Sequence, residues 1–268
     1  MTASTALEPV AARGATVRVT FPRLVRSELI KLRSLRAILG GAALLVACTV
    51  GLAGLVGLTA RSEGNGAVSD LATTMTLVTG QLIVQTLAVI LGCLAATIEY
   101  SSGSIRVTLT AAPRRWSLLG AKTVAVALVL AVVVTLAVGL AFVTLFAIFL
   151  RRGFGVVVGP PDVTALAGLV GYGVILGLLG FLLGFVTRSV VGGIGASLGL
   201  TLILPLLMGA GSGQAWVRQL LTIMPEHAAH RLFVGHGAAD VGSGLAIALA
   251  WLAVGFIVTG VLFARRDA

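Results

Sequence analysis

Of the 268 residues, 58% are hydrophobic and 10% are charged, whereas ordinary soluble domains carry roughly 25% charged residues. This deficit, together with several long apolar runs, excludes a soluble globular domain and predicts an all-α polytopic membrane protein. The formal net charge is +10, but the arginines flank apolar runs instead of forming one stripe. That distribution indicates a lipid bilayer as the partner and no nucleic acid.

The N-terminal part divides into a tail and an amphipathic stretch. Residues 1–20 are small and polar and are predicted to be a flexible cytoplasmic tail. Residues 21–36 place leucines on one side of a helix and arginines on the other, which predicts a helix lying in the membrane interface. Glu28 falls among the apolar positions. It either pairs with Lys31, three residues on, or faces protein instead of lipid.

Six apolar runs are long enough to cross a membrane. They are predicted at residues 37–60, 71–98, 117–150, 163–186, 191–210 and 244–263. Pro205 should kink the fifth span. In the fourth span, glycines at helix-packing spacing predict a close helix–helix face at Gly173, Gly177, Gly180 and Gly184.

The second span carries a small and polar stripe along one helical face, and this stripe includes Gln81 and Gln85. The two glutamines either form ordinary hydrogen bonds between helices or line a substrate path. The outer loop, residues 211–243, contains several large apolar side chains. This composition favours an amphipathic or re-entrant segment at the membrane surface.

Lysine and arginine are distributed unequally between the predicted loops. Most of them fall on the side that holds both termini, so we expect both termini in the cytoplasm. Arg151 and Arg152 lie on the opposite side and depart from this rule. The first apolar run follows a long basic stretch and is too long for a signal peptide, so it should remain as a membrane anchor.

Motifs for chemistry are weak or missing from the sequence. The nearest match to a phosphate-binding loop, Gly120-Ala-Lys122-Thr123, lacks the adjacent Gly-Lys pair. We therefore expect no enzyme activity, no catalytic residues and no cofactor bound by this chain. Three histidines beside Glu226, namely His227, His230 and His236, have no second strong ligand set, so no metal site is predicted.

Residues 99–116, here called the coupling segment, gather charges with glycine and proline between the second and third spans. The sequence Glu99-Tyr-Ser-Ser-Gly103-Ser-Ile-Arg106, followed by Pro113-Arg114-Arg115 and then Lys122, resembles the corresponding loop of type-2 ABC transporter permeases. Ser104 stands where that family usually has Thr. Ser27-Glu28-Leu-x-Lys31-Leu-x-Ser34 resembles the elbow helix of the same family, which here also includes Arg33.

The resemblance implies the permease subunit of a bacterial ABC exporter in the cell membrane. Such a subunit dimerises with a second copy of itself or with a paralogous permease, and binds separate ATPase subunits that carry ATP and Mg. By this resemblance, coupling to the ATPase involves Glu99, Gly103, Arg106, Pro113, Arg114 and Arg115.

The nature of the cargo follows from the scarcity of charge in the spans, which would serve a polar solute poorly. We expect a hydrophobic or amphipathic compound such as a drug, an antibiotic, a peptide or a lipid-linked molecule, as in multidrug transport. The alternative is a small secondary carrier unrelated to ABC transporters, or a membrane scaffold protein.

Overall fold

The computed structural model describes residues 20–60, 71–101, 115–153, 158–211, 213–235 and 237–265. Across these ranges the chain forms helices and no β-strand. The α-helices are α1 (Phe21–Ser34), α2 (Arg36–Thr59), α3 (Leu71–Ser101), α4 (Arg115–Arg151), α5 (Pro160–Thr187), α6 (Val190–Leu198), α7 (Leu204–Ala210), α8 (Ala215–Ile223), α9 (Pro225–Val234) and α10 (Ala238–Arg265). A π-helical turn, Gly199–Ile203, joins α6 to α7.

Six helical segments of the described chain are long and apolar enough to cross a membrane. They are α2, α3, α4, α5, α10 and the continuous run from α6 through the π-helical turn to α7. The predicted all-α polytopic fold is therefore confirmed. The last of these helices begins at Ala238, earlier than the predicted span at 244–263, so it takes up part of the predicted outer loop.

Helix α1 is separate from the first span because Leu35 adopts an extended backbone, with φ −81° and ψ 113°. It packs against α4 and α2. Its position in the membrane interface and the cytoplasmic location of both termini stay predictions. Most of the predicted tail, residues 1–19, lies outside the described residues.

Contacts between helix ends define two sides of the bundle. On the side of α1, Arg115 at the start of α4 donates a hydrogen bond of 2.8 Å to the carbonyl of Phe263 in α10. On the opposite side, here called the α9 side, Arg152 donates to the carbonyls of Gly57 and Ala60 at 2.9 and 2.8 Å. A cation at a helix C-terminus satisfies carbonyls that lack helical donors. The distribution of lysine and arginine between the loops did not predict an arginine on this side. These hydrogen bonds give Arg152 a structural role there.

Helix α5 lies at the centre of the fold, and half of its residues are buried, most of them in its second half. It packs against α3, α4, α6, α9 and α10. By contrast, the outer helices expose large apolar side chains such as Val191, Leu206 and Ile257. Such an apolar outer surface is expected where helices face lipid.

Glycines bring α5 and α3 into close backbone contact. A Cβ atom added at Gly92 would overlap the carbonyl oxygen of Gly177, and one added at Gly180 would overlap the carbonyl of Val89. Gly173 and Gly184 face α3 as well. The predicted glycine face is therefore confirmed, and α3 is the helix that packs on it.

Candidate functional site

The predicted coupling segment is described at its two ends. Helix α3 continues to Ser101, so the backbone of Glu99 belongs to the last turns of the helix. Arg115 is the first residue of α4, and its guanidinium reaches the C-terminal part of α10. Gly103, Arg106, Pro113 and Arg114 lie outside the described residues. Their role in coupling stays a prediction, and Arg115 has a contact within the chain that the sequence did not indicate.

Glu28 of α1 is buried, with 4% of its surface exposed, and forms two ion pairs. Its Oε2 lies 2.7 Å from the Nζ of Lys122 in α4, and its Oε1 lies 3.1 Å from the Nζ of Lys31. Both interpretations of Glu28 are therefore correct, because it pairs with Lys31 and also faces protein. Arg33, on the same helix, is exposed.

The Glu28–Lys122 pair connects α1 to the beginning of the third span. Lys122 is itself 4% exposed, so neither charge has water as an alternative partner. Breaking a buried pair leaves an uncompensated charge and is strongly destabilising. As a result, α1 and the start of α4 are expected to move together.

Gln85 links three parts of the bundle by its side-chain amide. Its Nε2 donates to the carbonyl oxygen of Thr201 in the π-helical turn, and its Oε1 accepts a hydrogen bond of 2.9 Å from the hydroxyl of Tyr172 in α5. Residue 205 is proline and has no N–H, so the carbonyl of Thr201 cannot receive the usual α-helical bond from it. The predicted disturbance of the fifth span thus occurs as a π-helical turn next to Pro205, and Gln85 supplies a donor there.

Both glutamines also line a cavity of about 390 Å³, here called the central cavity. Its walls come from α3, from the segment Thr201–Leu206 and from α9. The remaining lining residues are Val78, Leu82, Thr201, Leu202, Pro205, Leu206, Glu226 and His227. The interpretation of Gln85 as a hydrogen-bonding residue between helices is confirmed. That the two glutamines line a substrate path stays a prediction. If they do, this cavity would be part of that path.

Helix α9 brings two ionisable groups to the wall of the central cavity. The Oε2 of Glu226 lies 2.6 Å from the Nδ1 of His227, and the two side chains are 12% and 44% exposed. Hydrogen bonding to Glu226 raises the pKa of His227, although burial and the charge of Arg231 act in the opposite direction. Burial lowers the pKa of His230, whose ring packs on Phe233 at a centroid distance of 4.6 Å. Neighbouring histidines of one helix therefore differ in their tendency to be charged.

The Glu226–His227 pair lies deep relative to the helix ends on the α9 side. Gln85 lies about 21 Å along α3 from Leu71, at 1.5 Å rise per residue. Because Glu226 borders the same cavity as Gln85, its carboxylate lies beside the polar face of the second span, well inside the ends of α3.

The histidine cluster does not assemble a metal centre in the described part of the chain. Within those residues, no group of three or more His, Cys, Asp and Glu side chains is arranged to hold a metal ion. His236 lies outside the described residues.

Three residues of these sites were not assigned to them from the sequence: Lys122, Tyr172 and Glu226. A signal existed for two of them, because a lysine and a tyrosine inside apolar helices need polar partners. The position of Glu226 had no such signal, because it lies in the connection between the fifth and sixth spans. A connection of this kind can equally be exposed to water.

A comparison with known protein families finds none that matches this chain, and a comparison with curated proteins finds no matching relative. The fold defines the class as a multi-pass α-helical membrane protein. Its six apolar helices fit a subunit of a membrane transporter.

Proposed function

We propose that this chain is the permease subunit of an ATP-driven ABC transporter in the bacterial cell membrane. It exports a hydrophobic or amphipathic compound as a dimer, with a second copy or a paralogous permease, and ATP and Mg bind to separate ATPase subunits. The observation that carries the proposal is the buried pair between Glu28 and Lys122 at 2.7 Å. It supports the resemblance because it joins the proposed elbow helix to the helix that follows the coupling segment.

In this proposal, nucleotide-driven movement of the ATPase displaces the coupling segment. That segment connects the end of α3 to the start of α4, and Lys122 passes the displacement to α1. Helix α3 is held to α5 by the glycine contact at Gly92, so the two shift as one rigid body. Since α3 carries Gln81 and Gln85, its shift changes the shape of the central cavity and exposes it alternately to the two sides.

Co-purification of an ATPase tests this proposal. The chain is isolated from its native membranes in a mild detergent, and we expect a soluble subunit with a Walker loop, encoded in the neighbouring reading frame, to accompany it. The isolated chain should not turn over nucleotide, because it lacks a phosphate-binding loop. Nucleotide turnover by the pure chain at transporter-like rates would contradict the proposal, and so would the lack of any bound ATPase.

A secondary carrier is the second candidate, and the Glu226–His227 pair favours it. Ionisable groups at membrane depth are common in proton relays of transporters. A carrier of this kind would move protons or cargo in liposomes that contain this chain alone, under an imposed pH gradient and without ATP. A permease subunit would need the ATPase and ATP, and a scaffold would show neither activity.

A further inference from the structure

We propose that the central cavity binds an organic cation with an apolar body, and that Glu226 recognises its positive charge. The inference rests on the proposed function, because it names the chemical class of the cargo. Its basis is the combination of one carboxylate, two glutamines and a largely apolar wall in a cavity of about 390 Å³. Cavities of this size commonly hold small organic molecules.

The charge of the cavity wall selects the sign of the ligand. Glu226 and His227 are the ionisable residues among those that line the cavity. Arg231, also on α9, contacts α10 instead, where its Nη1 donates to Ser243 at 3.1 Å and its Nε lies 3.8 Å from Asp240. When His227 is neutral, the carboxylate of Glu226 lacks a countercharge from this wall. An organic cation supplies that charge, whereas an anion would be repelled.

The remaining wall suits a hydrocarbon body. Val78 and Leu82 come from α3, and Leu202 and Leu206 come from the opposite wall. Val78 is 66% exposed and Leu206 is 71% exposed, so the mouth of the cavity lies on the outer surface of the single chain, whereas Gln85 and Thr201 in its wall are buried. A ligand can therefore place its charge at Glu226 and its apolar part among these side chains.

His227 competes with the ligand for Glu226. In the empty cavity, protonated His227 neutralises the carboxylate from 2.6 Å. When the cation binds, the proton leaves His227 and passes to the solution. Glu226 raises the pKa of His227. Protonated His227 therefore competes with the cation up to a higher pH than an isolated histidine would. Affinity for the cation should rise as the pH increases through the pKa of His227.

Other titratable groups near the pair are Tyr172 from α5 and His230 and Arg231 from α9. Among the described residues, His227 is the one that forms an ion pair with the carboxylate of Glu226. The pH dependence is therefore assigned to His227, and a variant of His230 serves as its control.

Equilibrium dialysis of the purified full-length chain with tetraphenylphosphonium measures the proposed binding. We expect saturable binding that becomes roughly tenfold weaker in Glu226→Gln, because a charge-assisted contact is lost. Tetraphenylborate has the same shape and the opposite charge, and it should not bind saturably. Asp162→Asn is the matched control, since Asp162 is a buried carboxylate whose oxygen accepts the backbone N–H of Gly159 at 2.7 Å outside the central cavity.

The pH arm uses His227→Gln and His230→Gln. We expect His227→Gln to bind tetraphenylphosphonium with an affinity that no longer changes with pH, while His230→Gln keeps the dependence of the natural chain. Thermal unfolding and gel-filtration profiles establish that each variant is folded before it is compared.

Equal affinity of the natural chain and a folded Glu226→Gln variant would overturn the inference. Saturable binding of tetraphenylborate, or no saturable binding of either ion by the natural chain, would do the same. These binding results do not depend on the presence of an ATPase. Loss of the cation site therefore leaves the permease proposal intact, and failure to find an ATPase leaves the cation site intact.

Discussion

The side-chain amide of Gln85 donates to the backbone carbonyl of Thr201, across the interface between the second and fifth spans. Pro205 cannot provide the helical donor for that carbonyl, and an unsatisfied backbone group in lipid costs several kcal/mol. Gln85 of α3 therefore stabilises the π-helical turn in the fifth span by donating to this carbonyl. The same glutamine borders the central cavity, so the stability of the break and the shape of the cavity depend on one side chain.

Replacing Gln85 by leucine should destabilise the protein. The carbonyl of Thr201 and the hydroxyl of Tyr172 would each lose a partner, which we expect to cost roughly 1–3 kcal/mol for each group. Thermal unfolding in detergent measures the loss. In a Pro205→Ala background the new N–H can serve Thr201, so Gln85→Leu should cost less there. An equal cost in both backgrounds would contradict this explanation.

Separating the buried pair of Glu28 and Lys122 should be more damaging. Glu28→Gln removes the carboxylate that lies 2.7 Å from the buried ammonium of Lys122, and we expect a loss of about 3–5 kcal/mol. The double variant Glu28→Gln with Lys122→Met should lose less than the two single variants combined. Arg33→Ala changes an exposed residue of the same helix and should lie within about 0.5 kcal/mol of the natural chain. Additive losses from the two single changes would show that the ions do not interact.

The fold could largely be predicted because its signals are local. Membrane helices need long apolar runs, and close helix contacts need glycines such as Gly177 and Gly180 on one face. The partner of that face was not predictable, since an apolar helix can pack against any of five others. The partner of Glu28 was equally hidden, because Lys122 is distant in sequence and the two meet only in the folded chain.

The glycine contact between α3 and α5 can be tested by adding one methyl group. Gly92→Ala should separate the helices or prevent folding, because its Cβ would overlap the carbonyl oxygen of Gly177. Gly139→Ala is the matched control in α4, where nothing lies within 4 Å of the added atom. There the change should be neutral or stabilise by up to about 1 kcal/mol. Similar melting temperatures for the two variants would contradict the proposed contact.

The candidate site was less predictable than the fold. Gln81 and Gln85 stood out because polar residues are rare in membrane helices, but Glu226 and His227 belong to the connection between spans. Whether such a connection lies in water or turns back into the bundle depends on contacts of α9 with α5 and α10. Those contacts include the carbonyl of Leu232 against Gly168, for which the sequence has no separate signal.

The orientation of the chain can be tested by thiol labelling. In a background with Cys48 and Cys93 replaced, single cysteines at Ser69 and Ser212 should react with impermeant reagents applied from outside. A cysteine at Ser102 should react only after the membrane is permeabilised, since it belongs to the side that carries most of the positive charge. The reverse pattern would overturn the six-span arrangement with both termini in the cytoplasm.

The coupling segment is tested by single substitutions that leave membrane insertion unchanged. Arg106→Glu should abolish ATPase binding, because it turns an attractive contact with an acidic groove into a repulsive one. Gly103→Val should abolish ATPase-driven transport, because a β-branched residue stiffens the backbone at the glycine where we expect the segment to bend. Co-purification of the ATPase and its rate of nucleotide turnover measure both effects in variants that express normally.

The competing explanation is that the arginines of this segment only hold it on the cytoplasmic side. Orientation depends on the total charge, so single neutralisations of Arg106 or Arg114 would then be silent. A docked side chain, in contrast, is not replaced by its neighbour, and each variant to alanine should weaken ATPase binding. Arg115→Ala decides less, because it also removes the hydrogen bond to the carbonyl of Phe263 and can loosen the end of α10. Normal ATPase binding and turnover in both Arg106→Ala and Arg114→Ala would end the coupling hypothesis for these residues.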